Sequence, residues 1–144
     1  VVVEQSLEDR IGTQIIDAAM MVHSALGPGL LENTYQACLA YEISRRDLRA
    51  RAQVSIPLRY RDLSIDNAYR IDLLVSGLVV VEIKAVDNIL QVHRSQLLSY
   101  LRLGGFKVGD LLNFNVAHMR DGIVRRVNRL ESAASTAHPP RPPR

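Results

Sequence analysis

The most constraining stretch of the chain is Leu78-Val79-Val80-Val81-Glu82-Ile83-Lys84. Four apolar residues in succession, three of them β-branched, put apolar side chains on both faces of an extended backbone. Such a strand belongs at the centre of a sheet that is covered on both sides. A layered domain with helices flanking a sheet meets that demand. The same strand then carries a carboxylate and an ammonium. Alternation puts Val80, Glu82 and Lys84 on one face and Val79, Val81 and Ile83 on the other. Burying either charge costs free energy unless it is paired or used.

The surrounding pattern supplies the other layers. Apolar residues recur at Ile11, Ile15, Ala18/Ala19 and Val22, which predicts a helix over Glu8–His23. Gly27-Pro28-Gly29 ends it. A second helix is expected over Leu30–Arg46, with Leu31, Tyr35, Cys38/Leu39 and Ile43 inward. Val54, Ile56, Leu58 and Tyr60 alternate as a half-buried strand, with a turn at Arg61-Asp62. Pro57 suits an edge position. Asn67–Val75 and Leu78–Ala85 flank Ser76-Gly77 as a tight hairpin. That hairpin pairs Val75 with Leu78 and Asp72 with Val81, to within one position. A third helix is read over Ile89–Leu103, with Leu90, Leu97 and Leu101 inward and Gly104-Gly105 as its stop. Val108–Val116 reads as a buried strand and Gly122–Asn128 as a short edge strand. The order α-α-β-β-β-α-β-β predicts an α/β (α+β) domain with a mixed β-sheet flanked by helices. One domain is expected over 1–131, followed at 132–144 by a disordered Pro/Arg-rich tail.

Composition removes several classes of function. At 144 residues the chain suits one domain with a single sizeable core. No wholly apolar run approaches the roughly 20 residues of a membrane span. Cys38 is the one cysteine, so neither an internal disulfide nor a cysteine-cluster metal site can form. No basic-then-apolar leader is visible, and a cytoplasmic location is expected. Lys84 and Lys107 are the only lysines; every other basic residue is arginine. The formal charge is +3, falling to +1 without Arg141 and Arg144. That is too weak to diagnose nucleic-acid binding from charge alone.

Three acids stand where packing alone would place other residues. Asp72 lies in Ile71-Asp72-Leu73-Leu74-Val75, across the hairpin from Glu82. Two carboxylates that close do not both stay ionised without a cation between them. Lys84 could supply that charge, and a divalent metal would do so better. Glu32 sits in the first turn of the second helix, where the helix dipole is a simpler explanation. Gln96 and Tyr100, four apart, share one face of the third helix. The order Asp72, Glu82, Lys84 across a hairpin suits a metal-dependent nuclease. Mg²⁺ wants hard oxygen ligands. Asp72, Glu82 and the backbone carbonyl of Ile83 would provide them. Lys84 would then face the attacking water or the phosphoryl oxygens. His23 and His93 read as core or rim residues, and Cys38 as a buried one.

Gly29-Leu30-Leu31-Glu32-Asn33-Thr34-Tyr35 spells G-x-x-E-x-x-Y. With YRIDLLV, VVVEIKAV, VHRSQLLSYL and LLNFNV, it resembles the GxxExxY protein family. That family is a branch of the PD-(D/E)XK nuclease-like superfamily. The resemblance runs from about Ile11 to Asn128. It implies a restriction-endonuclease-like core with a central four-stranded mixed sheet. It also implies catalytic roles for Glu32, Asp72, Glu82 and Lys84, with Glu32 supporting the metal directly or through water, and substrate positioning by Gln96 and Tyr100. Three positions depart from the pattern: Ile71 where Pro is common, Asp110 at a strand start, and Asp47 in a turn where Gly is frequent.

The leading expectation is a Mg²⁺-dependent phosphodiesterase (nuclease), with Mn²⁺ as a substitute ion and DNA as the expected substrate. The alternative is a non-catalytic nucleic-acid-binding or assembly module that retains the nuclease fold. A third reading is a scaffold recruiting a partner through the Pro/Arg tail. A homodimer is expected, since two-fold pairing is the commonest assembly and enzymes that cut both strands often pair two active sites.

Overall fold

The computed structural model describes residues 5–129; the expected Pro/Arg-rich tail at 132–144 lies outside them. Ser6 caps α1 (Leu7–Leu26) by accepting from the Asp9 amide. Gly27 closes that helix at φ 67°, where a side chain would be strained. α2 (Glu32–Ser44) follows. Then come β1 (Ala50–Tyr60), β2 (Leu63–Val75) and β3 (Val79–Lys84). α3 (Gln91–Gly104) crosses to β4 (Val108–Asn113), and a short 3₁₀ turn precedes β5 (Ile123–Val127).

The strands form one five-stranded sheet in the order β1-β2-β3-β4-β5. The β3–β4 pair is parallel and the other three are antiparallel. β3 is therefore central, and Val79, Val80 and Val81 are all fully buried. The α3 crossover between β3 and β4 is what a parallel pair requires. Alternation splits β3 between two apolar layers. Val79, Val81 and Ile83 pack with Ile15, Leu39 and Ile43 of α1 and α2. Val80 packs with Leu97, Tyr100 and Leu101 of α3. Fold class and element order match the sequence-based expectation, with a fifth strand added to the four that the resemblance implied.

Several details differ. The turn after β2 has three residues, not two: Val75 pairs with Val79, and Leu78 donates to the Val75 carbonyl at 3.0 Å. Ser76 and Gly77 both take positive φ. Leu31 and Leu90 are exposed, because each is the residue that precedes its helix rather than part of its buried face. β2 begins at Leu63, earlier than Asn67: Leu63-Ser64-Ile65-Asp66 also alternates, although its outer half is exposed. β4 ends at Asn113, short of Val116, where that side chain turns to brace the segment after β3. Pro57 does lie on an edge strand, at a register shift between Ile56 and Leu58. Asp110 is fully buried and bonded by Arg125 at 3.1 Å, which accounts for a carboxylate inside β4. Asp47 takes φ 59°, the conformation for which glycine is favoured.

Candidate active site

β2 and β3 separate where the acids lie. Their ladder runs from Val75/Val79 to Leu73/Val81 and stops. β3 meanwhile stays paired with β4 as far as Lys84/Asn113. β2 also changes phase here. Leu73 and Val75 face the α1–α2 layer, while Leu74 and Ile71, three apart, both face α3. A regular pleat would put residues three apart on opposite faces. The break therefore falls at Asp72. Opposite it on β1, Gln53 takes φ 54°.

The split leaves backbone groups of β3, and of Ala85 just after it, without strand partners, and carboxylates take them. The Ile83 amide donates to Asp72 Oδ2 at 2.8 Å. The Ala85 amide donates to Glu32 Oε1 at 3.3 Å. N–H and C=O of one strand residue point to the same side, so the Ile83 carbonyl also faces the split. Lys84 is held by its own backbone, whose carbonyl accepts from Phe114 at 2.9 Å. Its side chain is half-buried and makes no ion pair within 4.0 Å among the described residues.

Glu82 is the anomaly of the site. It is only 6% exposed, and its Oε1 has no hydrogen-bond partner. Burial pushes its carboxyl up to about 9; the hydrogen bond to Asp72 and the Asp72 charge add to this, while Lys84 pulls the other way. At neutral pH Glu82 keeps its proton and shares it with Asp72. That proton stands where a cation would otherwise be needed between two carboxyl groups. Tyr100 lies beside the pair. Burial raises its hydroxyl pKa, and the charges of Glu82, Asp72 and Tyr69 raise it further. Tyr69 touches the Tyr100 ring at 5.1 Å between centroids. Gln96 is exposed one turn earlier on α3.

Sequence reasoning placed Tyr35 inward on the second helix without its role here, and missed Asn113. Tyr35 is fully buried and stacks on Phe114 at 4.6 Å. Its hydroxyl donates to the Gly27 carbonyl at 2.6 Å and accepts from the Leu30 amide at 3.1 Å. The tyrosine of G-x-x-E-x-x-Y thus ties down the loop that delivers Glu32. Asn113 braces the other side by bonding both backbone groups of Val86. The polar residue in the apolar run Leu111-Leu112-Asn113-Phe114 was the available signal. His23 and His93 act structurally: His23 Nε2 donates to the Val116 carbonyl, and His93 Nδ1 accepts from the Leu90 amide. Cys38 is half-buried rather than enclosed.

The profile of the PD-(D/E)XK nuclease superfamily matches residues 9–127, most of the chain. The chain belongs to this superfamily. No curated protein and no solved structure matches it. Nucleases of this superfamily generally use divalent metals. Among the described residues no three His, Cys, Asp or Glu side chains gather as a ready metal cage. That does not oppose Mg²⁺, which is commonly held by one or two carboxylates with waters and substrate oxygens. The donor set fits such an ion: two adjacent carboxyls, one with an orphaned oxygen, and a strand carbonyl on the same side. No helix among the described residues is long and apolar enough to cross a membrane.

Proposed function

We propose that this protein is a cytoplasmic Mg²⁺-dependent nuclease that hydrolyses DNA phosphodiester bonds. The observation that carries the reading is Glu82, a buried acid with an orphaned oxygen and a retained proton beside Asp72. Such an arrangement destabilises the fold and makes sense as a prepared site. Asp72, Glu82 and the Ile83 carbonyl would hold the ion, with Glu32 reaching it through water. Bound there, a divalent ion would supply Lewis acidity and neutralise charge developing on phosphorus. Lys84, unengaged by any carboxylate within 4.0 Å among the described residues, would present its ammonium to a phosphoryl oxygen or to the attacking water. Gln96 and Tyr100 would orient the strand, with the Tyr100 hydroxyl remaining protonated. Cutting both strands of a duplex would pair two such sites in a homodimer, read by light scattering as a doubled mass.

The test is plasmid cleavage with Mg²⁺, Mn²⁺ or chelator, for wild type, Asp72→Asn and Lys84→Ala. Wild type is expected to cut only with metal, and Asp72→Asn not to cut. Lys84→Ala should melt like wild type, because no ion pair is lost. Its rate should fall by roughly 10²–10³, the usual effect of removing a group aimed at the transition state. Lys84→Ala that melts much earlier yet cuts normally per folded molecule removes the catalytic role. Salt-sensitive DNA binding with no cleavage in any metal selects the non-catalytic module instead.

A further inference from the structure

The hairpin of β1 and β2 reaches past the helix that covers its base. Val54 and Ile56 of β1, with Tyr69 and Ile71 of β2, pack in the apolar layer under α3. By alternation the same face of β1 continues with Leu58 and Tyr60. Leu58 lies opposite Ile65, and Tyr60 opposite Leu63. Directly opposed residues share a face, so these four side chains form one apolar block near the tip. None of the four belongs to either apolar layer of the domain. Tyr60 is 51% exposed, Leu63 56% and Ile65 39%. The other face of the tip carries Arg59, the Ser64 opposite it and Asp66, all exposed. The tip is therefore a two-sided ribbon. Its polar side suits water, and its apolar side continues a face that α3 covers only at the base.

We infer that this apolar block is an interface between two copies of the chain, packed face to face about a two-fold axis. Charge argues for that occupant. Residues 58–66 carry Arg59 and Arg61 against Asp62 and Asp66, a formal charge of zero. A nucleic acid or an anionic membrane gains no net attraction from such a tip. Two neutral tips add no net repulsion, and an apolar block is its own complement under a two-fold. Tyr60 suits the role, because its ring packs while its hydroxyl stays at the wet rim. A rival apolar surface lies between α1 and α2, where Met21, Leu26 and Tyr41 line a groove. There the chain's own arginines already take part: Arg46 reaches the Met21 sulfur at 3.5 Å and Arg45 lies over the Tyr41 ring. The block is small beside a permanent dimer interface, so the pair exchanges with monomer as concentration falls. The inference rests on the nuclease reading only for what the pairing serves, and needs no metal.

The experiment is sedimentation equilibrium of the full chain over a hundredfold range of concentration. Wild type should pass from a single to a doubled mass. Tyr60→Ser/Leu63→Ser should raise the dimer dissociation constant by more than about tenfold, while Met21→Glu, with Arg46 beside it, should pair like wild type. Cysteine capture guards against a variant that merely fails to fold. In a Cys38→Ser background, Leu63→Cys should be caught as a covalent dimer by a short bismaleimide. Ser64→Cys, its neighbour on the opposite face, should not. A wild type that stays monomeric, equal capture of the two cysteines, or a dimer that survives Tyr60→Ser/Leu63→Ser overturns the interface. So does a dimer lost in Met21→Glu alone, which assigns the pairing to the helices. DNA affinity that Tyr60→Ser/Leu63→Ser weakens while wild type is still monomeric gives the tip to nucleic acid and also overturns it. A tip-dependent dimer without cleavage in any metal leaves the interface standing and removes the nuclease reading. Cleavage by a chain that stays monomeric throughout does the reverse.

Discussion

Glu82 shows the energetic conflict at the scale of one residue. Its carboxyl is held near 9 in the fold against 4.5 when unfolded, mainly by burial. The sign follows from which state binds more protons. Between those values the folded state keeps a proton that the unfolded state releases, so stability falls as pH rises through that window. The contribution is complete below about pH 4.5 and lost by about pH 9. At neutral pH the loss is on the order of 3 kcal/mol. In chelator, Glu82→Gln should flatten the decline of melting temperature between pH 5 and 9 relative to wild type. Parallel curves for the two proteins would show that Glu82 titrates normally.

Among the elements, β4 and β5 show how an apparent oddity in the sequence becomes a support. Asp110 is fully buried on β4, and Arg125 of β5 is its cross-strand partner in the register. Arg125 also reaches Asp9 on α1 at 3.5 Å, and its guanidinium packs so closely over Gly12 that a Cβ there would collide with it. Burial raises the Asp110 pKa even though Arg125 lowers it. Arg125→Ala should therefore cost about 3 kcal/mol, the low end for breaking a buried pair, since Arg125 is one-third exposed. The cost should shrink at pH 5, where the stranded Asp110 takes up a proton. Thermal melts at the two pH values check this, and Asp110→Leu/Arg125→Met should recover most of the loss. The number and order of elements were legible because each carries its own period and its own stop. The phase break at Asp72 was not. Alternation arguments assume an unbroken pleat, and nothing in Ile71-Asp72-Leu73 announces a bend set by Gln53 on the neighbouring strand. The acids themselves were legible as polar residues in apolar surroundings. Their supports, Tyr35 and Asn113, were hidden because a buried tyrosine or a lone strand asparagine has many ordinary uses.

For the whole molecule, these local conflicts should be relieved together by a divalent ion. An ion bound to the folded state alone stabilises it by an amount set by concentration over affinity, about 2.7 kcal/mol at one hundred times Kd. For a domain of this size that is a rise of roughly 8–14 °C. The ion must displace the proton shared by Glu82 and Asp72, so apparent affinity should climb as pH approaches the Glu82 value of about 9. The expected result is a melting shift with Mg²⁺ or Ca²⁺ that is small at pH 6 and large at pH 8.5. Glu82→Gln should shift little at either pH, because its amide carries no charge for the ion. A metal shift of equal size at both pH values would show that the ion binds elsewhere on the protein. A shift abolished by Glu82→Gln and steepening with pH ties metal, proton and fold to the point where β2 and β3 part.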